Sequence, residues 1–413
     1  MSRRAVITGV GLITPLGIGV DQNVRALTAG KSGIGGITHF DCTAFASQIA
    51  GEVKDFDPTR WMPPREVRTL DRFLHFAIAC GADALADSGL PPRFDDEEAE
   101  RTGCYVGAGW GGVETVQKNY KTYLEKGPRF FSPYAILASI INLAPSQLSI
   151  RHNIRGPVFS QVSACATGAH CIGEAARTIK DGTCDVMLAG GTEAAVEVLG
   201  IGFFAAARAL STRNDAPQAA SRPFDNERDG FVLGEGAGVV VLEDFDHARK
   251  RNARIYAEVL GYGTSADAFH PVEPSPEGKG AQTCMRNALK NAKISAEQVD
   301  YINAHGTSTR YNDAAETRAI KAVFGEHSRQ LAVSSTKSMT GHTLGAAGAI
   351  EAIFCALSLQ QNCLFPTINY EHADPECDLD YVANEARQQN VNILLSNSFG
   401  FGGTNAALIF CRV

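Results

Sequence analysis

The chain has 413 residues, of which 44% are hydrophobic and 20% charged, a globular composition that excludes wholesale disorder. Its 38 Lys and Arg against 45 Asp and Glu give a formal charge of −7, which argues against a general nucleic-acid or anionic-membrane binder but not against a local basic patch. A chain this long can bury a large core, as one big α/β domain or two fused halves.

Eleven cysteines with no CxxC pair fit neither a disulfide scaffold nor a zinc knuckle, and they suit a reducing cytoplasm. Cys80, Cys171 and Cys355 sit in apolar surroundings and read as small core residues. Residues 5–9 (Ala-Val-Ile-Thr-Gly) enter a strand at once, too short a run for a signal peptide, and no apolar stretch of 18 residues is expected anywhere.

In chain order the pattern predicts a strand at 5–10, a helix at 20–29 ending at Gly30, and a long amphipathic helix over 71–88. The acidic run 95–100 reads as a solvated face. A strand at 102–108, a helix over 134–150 and a strand at 157–163 follow, the last running into Cys165. Then come a small-residue helix over 166–180 and a strand at 185–189. The polar stretch 210–228 reads as a surface loop.

A second series has strands at 231–243 and 255–263, a helix over 279–292, and a strand at 299–304 that runs into His305. Helices at 314–324 and 346–360 flank a strand at 332–335, and strands at 393–397 and 405–410 end the chain. Alternating strands and helices argue for a buried sheet covered by helices. The two series match in order, which suggests a duplicated unit with halves 1–250 and 251–413.

Gly107–Gly112 matches GxGxxG after a strand, but a polar helical stretch follows instead of a second strand with its acidic residue, so a plain glycine turn beside a pocket is the simpler reading than a nucleotide site. Cys165 stands where an apolar strand meets a small-residue helix. There helix N–H groups and the helix dipole favour a thiolate and can hold a developing oxyanion. Alone, the cysteine is more simply a buried core residue. His305 ends a strand ahead of a Thr/Gly loop, and His342 precedes the helix near Gly345, with Lys337 in the same loop. Strand ends are where open α/β sheets place ligands. A Cys/His/His set could also bind zinc. Lys337 would oppose a metal cation, which favours covalent catalysis.

Together these residues resemble the β-ketoacyl-acyl-carrier-protein synthases, specifically the synthase II type of bacterial fatty-acid synthesis. The resemblance runs end to end. It is carried by Ala164-Cys165-Ala166-Thr167-Gly168, by Asn303-Ala304-His305-Gly306-Thr307-Ser308-Thr309, by Lys337-Ser338-Met339-Thr340-Gly341-His342 and by Phe399-Gly400-Phe401-Gly402-Gly403-Thr404-Asn405. Arg222-Pro223-Phe224-Asp225 and Arg228-Asp229-Gly230-Phe231 also match.

The resemblance implies a thiolase-like fold, two similar βαβαβαββ halves in a five-layered α-β-α-β-α architecture, and a homodimer. It implies the decarboxylative Claisen condensation of a malonyl carrier protein with a Cys165-bound acyl chain, which lengthens the chain by two carbons. Cys165 would be the nucleophile, His305 and His342 would donate to the enolate, and the N–H groups of Cys165 and Phe401 would form the oxyanion hole. Lys337 would orient the site, supported by the buried acids Glu351, Asp313 and Glu316. Thr307 and Thr309 would hold the phosphopantetheine arm, which arrives on the acyl carrier protein, while Trp110 and Gly402 would also line the substrate site. No metal or organic cofactor is implied. Arg65, Arg68, Arg129 and Arg208 would receive the acidic carrier protein, with Phe130 where a second basic residue is usual. Arg310-Tyr311-Asn312 replaces a Pro-containing stretch, and Trp110 stands where a smaller aliphatic is usual, which predicts a shortened acyl pocket. The rival readings are a ketosynthase of a polyketide or aryl-polyene pathway, a non-catalytic chain-length partner subunit, against which Cys165 argues, and an NAD(P)-dependent oxidoreductase using the glycine turn.

Overall fold

The computed structural model describes residues 3–413. Ten strands carry the architecture among these residues. The first five are β1 (Ala5–Thr14), β2 (Thr102–Gly107), β3 (Val158–Phe159), β4 (Val186–Glu193) and β5 (Gly236–Asp244). The second five are β6 (Ala257–Ala266), β7 (Tyr301–Asn303), β8 (Ala332–Ser334), β9 (Ile393–Gly400) and β10 (Thr404–Cys411). All residues of β1, β4 and β5 are buried, as expected for strands covered on both faces.

The sheet order is β3-β2-β4-β5-β1-β6-β10-β9-β7-β8. Numbered within its own half, each set of five runs 3-2-4-5-1. The pairings repeat as well: β2 lies parallel to β3 and β4, and β7 parallel to β8 and β9, while the remaining neighbours within each half are antiparallel. The halves meet where β1 pairs with β6, through Val6 with Glu258 and Ile7 with Ala257.

Helices complete five layers. α1 (Arg72–Ser88) and α2 (Leu143–His152) cover the outer face of the first half, while α4 (Lys279–Ala292) and α5 (Arg310–Phe324) cover that of the second. Between the sheets lie α3 (Thr167–Lys180) and α6 (Ala347–Gln361). They approach closely because both have glycine at the contact: a Cβ on Gly168 would stand 2.7 Å from Ala349 N, and one on Gly348 would stand 2.9 Å from Ala169 N. Each helix follows a 3-10 turn, Ala164–Ala166 or Leu344–Ala346, whose first residue is left-handed (Ala164 φ 49°, Leu344 φ 48°). The crossing therefore brings two equivalent helix starts together, with Cys165 on one and Gly345 at the matching place on the other.

Several sequence expectations change. The stretch 134–150 is two helices, Ala135–Ser139 and α2, because Pro145 lacks an N–H and is tolerated only in a first turn, so a new helix starts at Leu143. The strand at 157–163 shrinks to Val158–Phe159, since the chain leaves the sheet with Ser160 Oγ bonded to Val106 O at 2.7 Å. Residues 344–361 are apolar and long enough to cross a membrane, contrary to expectation, yet they form the core helix α6 and the turn before it, 89% buried. The stretch 210–228 is not a surface loop throughout. Arg222, Asp225 and Arg228 are buried, joined by Arg222 Nε to Asp225 (3.0 Å) and Arg228 Nη1 to Asp374 (2.6 Å).

Candidate active site

Cys165 lies at the start of α3 with 6% of its surface exposed. His342 follows the short helix Lys337–Thr340, and its N–H donates to Val232 O at 2.7 Å. Its Nε2 stands 2.9 Å from Cys165 Sγ. His305 follows β7, and its ring centre lies 5.4 Å from that of His342, edge to face. Glu316 of α5 fixes this loop: His305 N (2.9 Å), Gly306 N (2.8 Å) and Asn397 Nδ2 (3.0 Å) all donate to its carboxylate. The structure thus brings together a sulfur from the first half and two imidazoles from the second.

Burial dominates the electrostatics. It pushes the Cys165 thiol up to about 12, against the pull of the Lys337 charge and of the Phe401 and Cys165 N–H groups. Burial, and then the charge of Lys337, push His305 and His342 well below the ordinary histidine value. Burial therefore favours a neutral thiol and a neutral imidazole. The helix start favours a thiolate, and desolvation acts against it. Phe401 lines the same cavity as Cys165, and its backbone N–H pulls the thiol down. Its segment lies hard against the nucleophile turn, where a Cβ on Gly400 would sit 2.6 Å from Ser163 O and Thr404 Oγ1 donates to that same oxygen at 3.1 Å.

Lys337 is buried and bonds directly to Glu351, whose carboxyl burial raises to about 7 while Lys337 pulls it down. The other two expected partners lie elsewhere. Asp313 accepts from Phe224 N at 2.9 Å and faces Arg228 at 3.7 Å, and Glu316 serves the His305 loop. Among the described residues no group of three His, Cys, Asp or Glu is arranged as a metal centre.

Cys165, His305 and His342 open into a cavity of about 470 Å³. Thr307 and Thr309 line it, hydroxyl to hydroxyl at 3.0 Å, together with Trp110, Phe401 and Arg208. Gly402 is not on its wall: it turns at φ 85° and donates to Pro271 O at 2.7 Å. Arg65, Arg68 and Arg129 are exposed and lie off the cavity, whereas Arg310, noted in the sequence only as a departure, lines it.

The glycine turn binds no nucleotide phosphate in the way the oxidoreductase reading needs. Its amides at Gly109, Trp110 and Gly111 point to the carboxylate of Glu193. Sequence reasoning missed Glu193, and its only signal was that a row of glycine amides calls for an anion.

Fold and site fit the class of acyl-transferring enzymes: a buried cysteine lies beside two histidines at one cavity. Residues 2–248 match the family model "Beta-ketoacyl synthase, N-terminal domain" and residues 256–371 match "Beta-ketoacyl synthase, C-terminal domain". The chain is 53% identical over 411 residues to 3-oxoacyl-[acyl-carrier-protein] synthase 2 of Coxiella burnetii, covering 100% of this chain and 99% of that one. A crystal structure of a β-ketoacyl synthase from Burkholderia phymatum superposes with a TM-score of 0.92 at 36% identity, with both chains fully covered. A type II polyketide ketosynthase solved with its acyl-carrier protein and bound to the hexaketide superposes at 0.91 with 34% identity, again with full coverage of both chains. The chain belongs to the β-ketoacyl synthase family of condensing enzymes.

Proposed function

We propose that this enzyme is a 3-oxoacyl-[acyl-carrier-protein] synthase of fatty-acid elongation. The observation that carries the reading is the 2.9 Å approach of His342 Nε2 to Cys165 Sγ, with the second imidazole and the Phe401 N–H beside them at the floor of one cavity. As Sγ attacks the acyl thioester, its proton moves to His342 Nε2 and on to the departing carrier thiol. The N–H groups of Cys165 and Phe401 hold the oxyanion, each such donor being worth about 3–4 kcal/mol. Malonyl thioester then loses CO₂, and the ring N–H of His305, joined by that of His342 once its proton has moved from Nδ1 to Nε2, stabilises the enolate oxygen. The enolate carbon attacks the acyl-cysteine carbonyl, expelling Cys165 as a thiolate that takes up a proton from solvent, and giving the 3-oxoacyl product two carbons longer. No step calls on a metal or organic cofactor, since the phosphopantetheine arm comes with the carrier protein, and Thr307 and Thr309 are its hydroxyl partners.

Arg208 at the cavity wall, with Arg65, Arg68 and Arg129 farther out, gives an acidic carrier protein basic contacts despite the net charge of −7. A homodimer is supported by exposed apolar side chains of the first half: Phe159 on the open edge strand β3, Val162 just after it, and Phe131, Ile136 and Phe203 elsewhere on its surface. Eleven unpaired cysteines support a cytoplasmic location. The higher identity to the curated fatty-acid synthases than to the polyketide ketosynthase favours fatty-acid elongation over the polyketide reading.

Intact mass after incubation with an acyl carrier thioester tests the reaction class. One acyl group should stay on the native chain and none on Cys165→Ala; acylation of both would refute the assignment. Light scattering should give twice 44.0 kDa for the dimer.

A further inference from the structure

The glycine turn Gly107–Gly112 has the geometry of an anion cradle, and the anion it holds belongs to this chain. Glu193 ends β4 with its side chain fully buried. Its Oε2 accepts from Gly109 N at 2.7 Å and Gly345 N at 3.0 Å, while Oε1 accepts from Trp110 N at 3.1 Å and Gly111 N at 3.2 Å. Its hydrogen-bond partners are all backbone N–H groups, and burial holds the carboxyl up at about 7 despite them. Burying such a group costs free energy, which the structure must recover in another form.

The donors come from both halves. Residues 109–111 follow β2, whereas Gly345 lies in the turn after His342. Among and beside these amides stand Trp110 and Leu344, which line the cavity and pack in one apolar cluster with Cys165 and Phe204. Glu316 does the corresponding task on the other wall, where it holds the backbone of His305 and Gly306. Each wall of the cavity has its own buried carboxylate: Glu316 serves the imidazole wall and Glu193 the apolar wall. On the condensing-enzyme reading, an acyl chain on Cys165 would lie against the second and a malonyl group would react at the first.

We propose that Glu193 is a positioning residue for the acyl primer: its four N–H bonds fix Trp110 and Leu344 beside Cys165, and so set the rate and chain-length preference of acylation while leaving malonyl decarboxylation alone. The proposal rests on the condensing-enzyme reading above.

The two half-reactions separate it from a merely structural role. Acyl transfer to Cys165 from butyryl and palmitoyl carrier protein is followed by intact mass, and CO₂ release from malonyl carrier protein is followed without primer, in the native enzyme and in Glu193→Gln. The glutamine amide turns an –NH₂ against two of the backbone donors, so acylation should slow by about tenfold or more, the loss of roughly one hydrogen bond to a charged group, and the ratio between primers should change. Decarboxylation should stay within about twofold. Equal loss in both half-reactions, or unchanged acylation, would overturn the proposal. If Glu193→Gln does not fold, Glu193→Asp serves: its shorter carboxylate reaches one donor segment at a time, the same imbalance is expected, and a proportional loss overturns the proposal equally. A native enzyme that performs neither half-reaction refutes the condensing-enzyme reading and not the place of Glu193 in it.

Discussion

Cys165 Sγ and His342 Nε2 stand 2.9 Å apart, yet burial shifts each away from the charge an ion pair would need, the thiol up and the imidazole down. Burial thus favours a nucleophile made when substrate arrives over one held ready beforehand. Alkylation by iodoacetamide should report this. With the thiol near 12, its rate at Cys165 should climb by about tenfold per pH unit between roughly pH 6 and 9. A flat profile over that range would mean a standing thiolate–imidazolium pair.

Trp110 stacks on Phe203 with centroids 5.6 Å apart and meets Phe204 edge-on, in the apolar cluster around Cys165. An indole here takes volume that a long acyl chain would need. Trp110→Ile should raise the elongation rate of a palmitoyl primer relative to butyryl by about tenfold, the scale of a few methylenes in an apolar pocket. Equal palmitoyl rates in both enzymes would remove Trp110 as the length determinant.

Lys337 and Glu351 are a buried pair in the centre of the molecule. Neutralising one partner leaves the other charge uncompensated, which costs about 3–5 kcal/mol. Glu351→Gln should lower the urea midpoint accordingly, and Lys337→Met with Glu351→Leu should recover most of the loss. The double variant should still lack full decarboxylation, because Lys337 acts electrostatically on both histidines.

His75 of α1 is buried, with Nε2 bonded to Val67 O at 3.1 Å, and burial lowers its pKa to about 4. The folded state holds this ring neutral, whereas the unfolded chain takes up a proton below about 6.5. Its contribution is therefore present above pH 6.5 and lost as the pH falls toward 4, up to about 3 kcal/mol. Urea unfolding at pH 7 and pH 4.5 should show this loss in the native protein and a smaller one in His75→Gln. An equal loss in both would assign the acid sensitivity to other groups.

Much of the site was legible in the sequence because strand ends and helix starts announce themselves: Cys165 follows an apolar run and precedes small residues, and His305 and His342 sit at loops rich in Gly, Ser and Thr. The order of strands was legible for the same reason, since period and punctuation are local. What failed was set by distant partners. Asp313 reads as a companion of Lys337 until the fold places Arg228 beside it. Residues 220–228 look like surface by composition, but Arg222, Asp225 and Arg228 are buried: Asp225 pairs locally with Arg222, while Glu371 and Asp374 meet the two arginines from far along the chain. Glu193 is one glutamate among many until the amides of two remote turns converge on it. Length of pairing was also invisible: β3 has two residues because its chain must leave the sheet to carry the nucleophile.

The matched helix starts at Cys165 and Gly345 carry a consequence for how such a site tolerates change. One copy of the turn displays a reactive atom, while the other has given up its side chain, because a Cβ at Gly345 would collide with Gly109 N and crowd the Glu193 carboxylate. The symmetry that builds the crossing cannot be completed chemically: a second sulfur at position 345 would unseat the brace on which the first depends. Single-nucleophile use is thereby written into the backbone, and any variant that restores equivalence between the halves should cost activity before it costs the fold.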